Sequence, residues 1–520
     1  AVRLKYSRLI RNAMDNAREQ IETNKDLRNS DLRELFTNEV EERGKFAMNP
    51  PADAIAIAAR NANRLAFLGT IGFNLSSAVV NLSQVPLVVL PYMAGKTSYK
   101  DATRNLNAAR RFFAGSGREH SVMVNGKPVK AKSAIPSIDN YYDLNEDGTM
   151  SLRKDLELDA DQKKMAELML PLVQASAHRG LLNRSMFYDS LGIEQGGKEK
   201  SWADTLNAWS AFPFHTAERF NRKITLPGTY LNELQRLTEA NAKLPEGRRR
   251  SEAEIQQEAV DIALYDTQQT NGGAVLATAA RVAQMPLGRV AMMYKGFGIQ
   301  MYYTQFKTAK EAIYDSDLTP EQKKIAMRQI MGIQGSVLLM SGVQGLTMFG
   351  IVAGIANLFL DDDEEDFETI TRGYLGEALY KGGVNQILDG LGVEVDVASR
   401  IGLSNLIIAS NRYNFDPSME KTIVQTLGGP AYGYLSQVAR GVGDVMDGEV
   451  QRGVENILPS ALRNAAKATF RYSDEGILTR RKDPILDDLN AAELTAQFFG
   501  FAPAEYTLNQ ERNHFYIRIS

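Results

Sequence analysis

The sequence predicts a mainly α-helical protein: an extended multi-helix assembly with one small β-hairpin insert and long apolar helices. Three observations lead there. Helix-start signatures recur along the whole chain, strand signals gather in one short region, and two long stretches, Leu65–Gly95 and Gln329–Leu360, hold no Asp, Glu, Lys or Arg.

The helices come first. Ile10, Ala13, Met14, Ala17 and Ile21 repeat at helical spacing, so the chain opens on an amphipathic helix. Ser251 with Glu254 forms a capping box, Thr319 is followed by Pro320 and Gln322, and Asp159 stands three residues before Gln162. Each pattern satisfies amide donors that a helix start leaves unpaired. Strand character is confined to Ser121–Ala131, where Asn125-Gly126 marks a hairpin turn between alternating residues, and to a second extended segment around Tyr141–Leu152.

Punctuation divides the chain into five regions: 1–114 helical, 115–158 a β-containing insert, 159–328 helical, 329–360 an apolar helix or helical hairpin, and 361–520 helical. The acidic run Asp361–Asp366 opens the last region, and a basic connector at Leu244–Arg250 and a loop-like segment at Tyr472–Asp488 mark further breaks within the helical regions.

Both charge-free stretches exceed the roughly 20 apolar residues that cross a bilayer. In the second, Gly350 and Gly354 form a small-xxx-small pair, and Ser341 with Gly345 forms another. Against spanning stand the amides Asn74, Asn81, Gln84, Gln334, Gln344 and Asn357. Pro86 and Pro91 are expected to break the first stretch, and Gly342 and Gly345 to fold the second into a hairpin. Constitutive spanning, conditional insertion and burial in an oligomer all remain open. The contact residues expected of any of them are Leu338, Gly342, Gly345, Phe349, Gly350, Ile351 and Gly354.

Composition excludes much chemistry. With 44% hydrophobic and 24% charged residues the chain is ordinary globular material, and a net charge of −3 is not that of a nucleic-acid polycation. The absence of cysteine excludes disulfides, thiolate catalysis and zinc-finger frameworks, and the four histidines are not spaced as a metal-binding helix face. The opening residues lack the apolar core of a signal peptide, so export by that route is not expected.

Individual motifs dissolve under inspection. Gly95-Lys96-Thr97 follows an apolar run, but Leu90 stands where a phosphate-binding loop needs glycine. Asp143, Asn145 and Asp147 open like a calcium loop, yet Lys154 occupies the position of the bidentate glutamate, and a turn between short strands explains the same residues. Glu218 and Arg222 sit one helical turn apart and read as a structural ion pair rather than an acid–base site beside His215. No catalytic residue, cofactor or metal is expected.

One segment carries a resemblance. In Gln284–Phe306, QMPLGRVAMMYKGFGIQMYYTQF, the run Pro286, Leu287, Gly288, Arg289 resembles the P-L-x-R-F-G signature found in C-terminal regions of very large tailed-phage proteins, with Val290 and Ala291 replacing the Phe-Gly. GFNLSSAVVNLSQVP at Gly72–Pro86, AERFNRKIT at Ala217–Thr225 and the helix ending at Thr270 before Asn271 are similar in order. Together these resemble internal virion, or ejection, proteins of short-tailed bacteriophages. The resemblance implies a non-enzymatic homo-oligomer packaged in the capsid core beside the portal and sister internal virion proteins. It implies ejection into the host periplasm and inner membrane, where the protein contacts lipid and forms a channel for phage DNA. The alternative is a purely structural core scaffold that never enters a membrane. In a family whose larger members carry enzymes, chemistry would lie upstream of these residues.

Overall fold

The helix-start signatures act as read. In the computed structural model, Ser251 and Glu254, and Thr319 and Gln322, form reciprocal capping boxes, and the Gln162 amide donates to Asp159 Oδ1 at 2.8 Å. The structure describes residues 2–24, 30–49, 53–117, 119–124, 127–132, 136–145, 149–154, 156, 158–178, 202–272, 280–357, 367–404, 406, 419–478, 483–507 and 509. The chain is mainly α. It opens with the amphipathic helix Val2–Thr23, packed on Ser30–Met48.

The bundle is organised around one 41-residue helix, Trp202–Ala242, which runs on through Pro213 and Pro227. Tyr99–Gly115 and Glu252–Asn271 pack along it. The largest apolar cluster fills the space between these helices and Ala160–His178, with Tyr230, Leu226, Met169 and Leu172 at its centre. Ile138, Tyr141 and Tyr142 belong to the same cluster, so the β-containing region is seated on the helices and shares their core. Tyr141 stacks on Phe112 at 4.4 Å and donates its hydroxyl to the Phe112 carbonyl.

The expected hairpin is present as Glu119–Val124 paired antiparallel with Lys127–Lys132, in the register Val124 to Lys127 that a two-residue turn imposes. Asn125 and Gly126 themselves lie outside the described residues. Tyr142–Leu144 pairs with Met150–Leu152, as read. A third pair, Ile477–Leu478 with Pro484–Leu486, corrects the reading of Tyr472–Asp488 as a loop. Its strands are two and three residues long, too short to show alternation, and positive-φ Gly476 turns the chain into them.

Of the two charge-free stretches, the first departs from its reading and the second divides at Gly342, as its glycines predict. Pro86 and Pro91 do not break the first one. Leu75–Lys96 is continuous helix because Val85–Val89 takes the wider π-helical register. There the Leu90 amide reaches back five residues to the Val85 carbonyl, which spreads the turn where proline rings would otherwise strike carbonyls one turn back. The second stretch is not one long helix. Pro320–Ser341 ends at Gly342, a tight 3₁₀ turn covers Val343–Gly345, and Phe349–Asn357 follows. Gly342 has φ of 68°, and a Cβ there would meet the Tyr380 carbonyl oxygen. The break is thus held by glycine's freedom and by a backbone crossing with Gly382. The acidic run 361–366 lies outside the described residues.

These contacts make a paired test. Gly342→Ala is expected to destabilise the chain by about 3 kcal/mol, combining a left-handed backbone penalty with a steric clash. Gly335→Ala, whose Cβ would project into open space, is expected to be neutral or to stabilise by up to about 1 kcal/mol. Urea unfolding midpoints measure both.

Candidate functional site

The two charge-free stretches, far apart in sequence, pack against each other. Gly95 has no side chain where Gln329 crosses it, and Gln329 donates its amide to the Tyr92 carbonyl at 3.2 Å. Leu87, Val88 and Tyr92 of the first stretch join Ile333 and Val337 of the second in one apolar cluster. At the end of the first stretch, Lys96 is buried between two carboxylates, Asp266 at 2.5 Å and Glu233 at 3.3 Å. Arg236 closes on Glu233 at 2.7 Å. Burial pushes the Asp266 carboxyl above its ordinary range against the pull of Lys96. Thr97 donates to Asn232 Oδ1 at 2.9 Å. Gly95-Lys96-Thr97 therefore ties the apolar helix to its neighbours, and the ammonium faces protein carboxylates rather than a phosphate.

Around this junction buried polar side chains occur beside exposed apolar ones. In the first stretch Asn74, Ser76 and Gln84 are buried, while Leu65, Phe73, Leu75, Val79 and Leu82 are exposed. In the second, Gln329, Ser341 and Gln344 are buried, while Met331 and Leu339 stand 66% and 75% exposed. The long helix buries Asn221, Lys223, Asn232 and Glu233 and exposes Trp202 and Trp209, at 80% and 72%. These are the chain's two tryptophans. The Phe73 amide donates to the Ser210 carbonyl at 2.8 Å, and the Ser76 amide to that of Phe499 at 3.1 Å. Phe73, Phe499 and Trp209 are all exposed.

The expected contact residues separate into two groups. Leu338 is exposed, and Gly350 and Ile351 are half-buried. Gly342, Gly345 and Phe349 are buried inside the chain, which corrects their reading as membrane or oligomer contacts. Gly345 crosses Gly402 backbone to backbone, and Phe349 packs on Phe367 and Tyr380 at 6.1 and 6.2 Å between centroids. Ser341 meets Gly345 within the same chain, so that small pair is spent on the turn. Gly354 lies on helix Phe349–Asn357, and its surroundings lie outside the described residues.

The four segments of the family resemblance converge in space. Asn81 and Gln84, Glu218 and Arg222, Asn271, and Arg289 through Gln300 all contribute to the wall of one cavity of about 580 Å³. Pro286 begins the short helix Pro286–Ala291, Leu287 points outward, and Arg289 donates to the Gln284 carbonyl at 3.4 Å. Glu218 and Arg222 are paired at 2.6 Å, as spacing predicts. Beside them, burial first, then Arg219, Arg222 and Lys223, lower His215 from 6.5 to about 3.

At the calcium-like turn, Asp143 lies 3.7 Å from the Arg153 guanidinium. The Asn145 side chain donates to Thr149 and accepts from Ser151. Asp147 lies outside the described residues. Among the described residues, no three His, Asp or Glu side chains gather to hold a metal. Comparison with protein-family models, curated proteins and solved structures yields no match.

Sequence reading missed the partners of Lys96, because Glu233 and Asp266 are ordinary acidic residues of other helices. It also missed Arg400, which reaches Ser76 Oγ at 2.7 Å across the cavity wall.

His215 supplies a pH test. Its folded value, about 3, lies below its ordinary 6.5. Between those values the unfolded chain binds the extra proton, so stability falls as pH falls from 6.5 toward 3. The slope approaches about 1.4 kcal/mol per pH unit for one group. The wild type is expected to show this loss in chemical denaturation across that range, and His215→Phe to lack that share of it.

Proposed function

We propose that the chain is an internal virion protein of a short-tailed bacteriophage. It assembles as a homo-oligomer with sister core proteins and portal, and after ejection contacts the host inner membrane to help form the DNA conduit. The observation that carries this reading is the set of large apolar side chains left exposed on the central bundle, Met331, Leu339, Trp202 and Trp209 among them. Such a surface is suited to lipid or to another subunit. Leu75–Lys96 is also long and apolar enough to cross a bilayer, although 56% of it is buried within this fold, which fits a stored state that rearranges rather than a standing span. The tryptophans add to the membrane side, since Trp and Tyr favour the boundary between headgroups and hydrocarbon.

Both tryptophans are exposed on the long helix, so their emission reports on the surroundings of that helix. On adding vesicles of phosphatidylethanolamine and phosphatidylglycerol, emission is expected to shift to shorter wavelength and to be quenched by brominated acyl chains. Leu339→Asp is expected to weaken vesicle binding about tenfold or more, given the apolar area it withdraws. Particles carrying it should assemble normally and fail to deliver DNA. Unchanged emission with every vesicle, together with particles lacking the Leu339→Asp protein, would instead favour the scaffold alternative. Leu339 is the position of choice because a charge at Phe349 would disrupt the contacts with Phe367 and Tyr380 in either case.

A further inference from the structure

Beyond helix Met419–Met446, basic side chains gather on three short elements: helices Val450–Ile457 and Ser460–Ala466 and the π-helical turn Lys467–Arg471. Arg463, Lys467 and Arg471 follow at steps of four along one continuous helical run, so they share a face. Arg452 approaches from Val450–Ile457, and it acts with Arg463 and Arg471 on the Lys467 ammonium. The carboxylates nearby are engaged. Buried Glu455 pairs with Arg471 at 2.8 Å, and Glu449 lies 4.0 Å from Arg452. Arg440 and Asp444, one turn apart on the preceding helix, offset each other in charge. Arg463 donates to the Ser460 hydroxyl at 3.0 Å. Among the described residues, neither Arg463 nor Lys467 has a carboxylate within ion-pair distance. Four cations against two carboxylates therefore leave two positive charges over, on side chains that are half-buried. Burial first, then Arg463 and Arg471, lowers Lys467 from 10.5 to about 8, and the pull of Glu455 does not offset them.

We propose that Arg463 and Lys467 hold the phosphate of an anionic phospholipid headgroup, with the acyl chains leaving past Phe470. A guanidinium fork and an ammonium together suit a phosphate: the first makes paired charge-assisted hydrogen bonds, and the second adds a point charge. Phe470 stands three residues after Lys467, which makes it a neighbour on the helix, and it is 72% exposed. A basic cluster beside exposed apolar surface is what an anionic lipid headgroup recognises. A nucleic-acid strand would ask for a longer basic track than two free cations, and a bare phosphate would leave the aromatic ring without a role. The choice of lipid as the source of the phosphate rests on the membrane role proposed above, whereas the surplus of charge does not depend on it.

The test is competitive acylation of the full chain with limiting N-hydroxysuccinimidyl acetate, read lysine by lysine by mass spectrometry. Near its midpoint about half of Lys467 is free amine, against well under a hundredth of an ordinary lysine, so it is expected to react first. Dihexanoylphosphatidylglycerol, kept below its micelle concentration, is expected to suppress that reaction about tenfold or more at saturation, because a bound phosphate covers the amine and returns it to the protonated form. Dihexanoylphosphatidylcholine, which has no net charge, and inorganic phosphate at equal ionic strength are expected to protect far less. Arg463→Gln should raise the lipid concentration needed by about tenfold while the melting temperature stays near the wild-type value. Arg471 is left in place because its removal would strand buried Glu455. The comparison of ligands on the wild type decides whether or not that variant folds. Protection by inorganic phosphate equal to that by the lipid overturns the lipid assignment in favour of free phosphate, and stronger protection by a short oligothymidylate overturns it in favour of nucleic acid. No preferential reaction at Lys467, or no protection by any ligand, overturns the site itself. A tryptophan shift on vesicles without lipid protection of Lys467 defeats this inference alone. Protection by the lipid without a tryptophan shift supports the site and counts against the wider membrane role.

Discussion

The central bundle depends on the close approach of Gly95 to Gln329. Two helices can touch backbone to side chain there only because position 95 lacks a Cβ. That approach brings Gln329 to the Tyr92 carbonyl and sets Lys96, one residue on, against Asp266 and Glu233. A buried ion pair gives little net stability when complete, but removing one partner leaves charge stranded in low dielectric, at a cost of about 3–5 kcal/mol. The junction therefore acts on specificity: it accepts one mutual arrangement of the two apolar stretches and penalises slippage.

Around the same junction, side-chain amides of several helices are gathered inside and bond across helices. Asn221 reaches the Asn81 carbonyl, Gln84 the Thr270 carbonyl, and Gln334 bridges Gln305 and Thr347. Large apolar side chains, Met331, Leu339 and Trp209 among them, are left on the outside. For a protein that remained alone in water such a surface would be an aggregation hazard. For one that is stored in an assembly and later meets lipid, the same surface is the working part.

The cavity lies between these elements rather than on any of them. Its walls come from the start of the first stretch, the middle of the long helix, the end of Glu252–Asn271 and the segment around Arg289. Asn81, Gln84, Glu218, Arg222, Asn271 and Arg289, far apart in sequence, are thus neighbours in space.

Much of the fold was legible in the residues. Capping boxes at Ser251 and Thr319, the hairpin around Asn125-Gly126, the Glu218–Arg222 pair and the breaks at Gly342 and Gly345 depend on neighbours within a few positions, where local geometry decides. The effect of Pro86 and Pro91 was not legible, because a π-helical turn absorbs both prolines and no local pattern announces it. Nor was the sorting of contact residues: Leu338 and Phe349 are equally apolar in sequence, yet one is exposed and the other packs on Tyr380. The sequence by itself determined the helical class, the helix starts and the absence of charge from two stretches. Only the tertiary structure decided that those stretches meet, that their amides face inward, and that Lys96, Asp266 and Glu233 share one site, because burial and pairing depend on which distant segments come together.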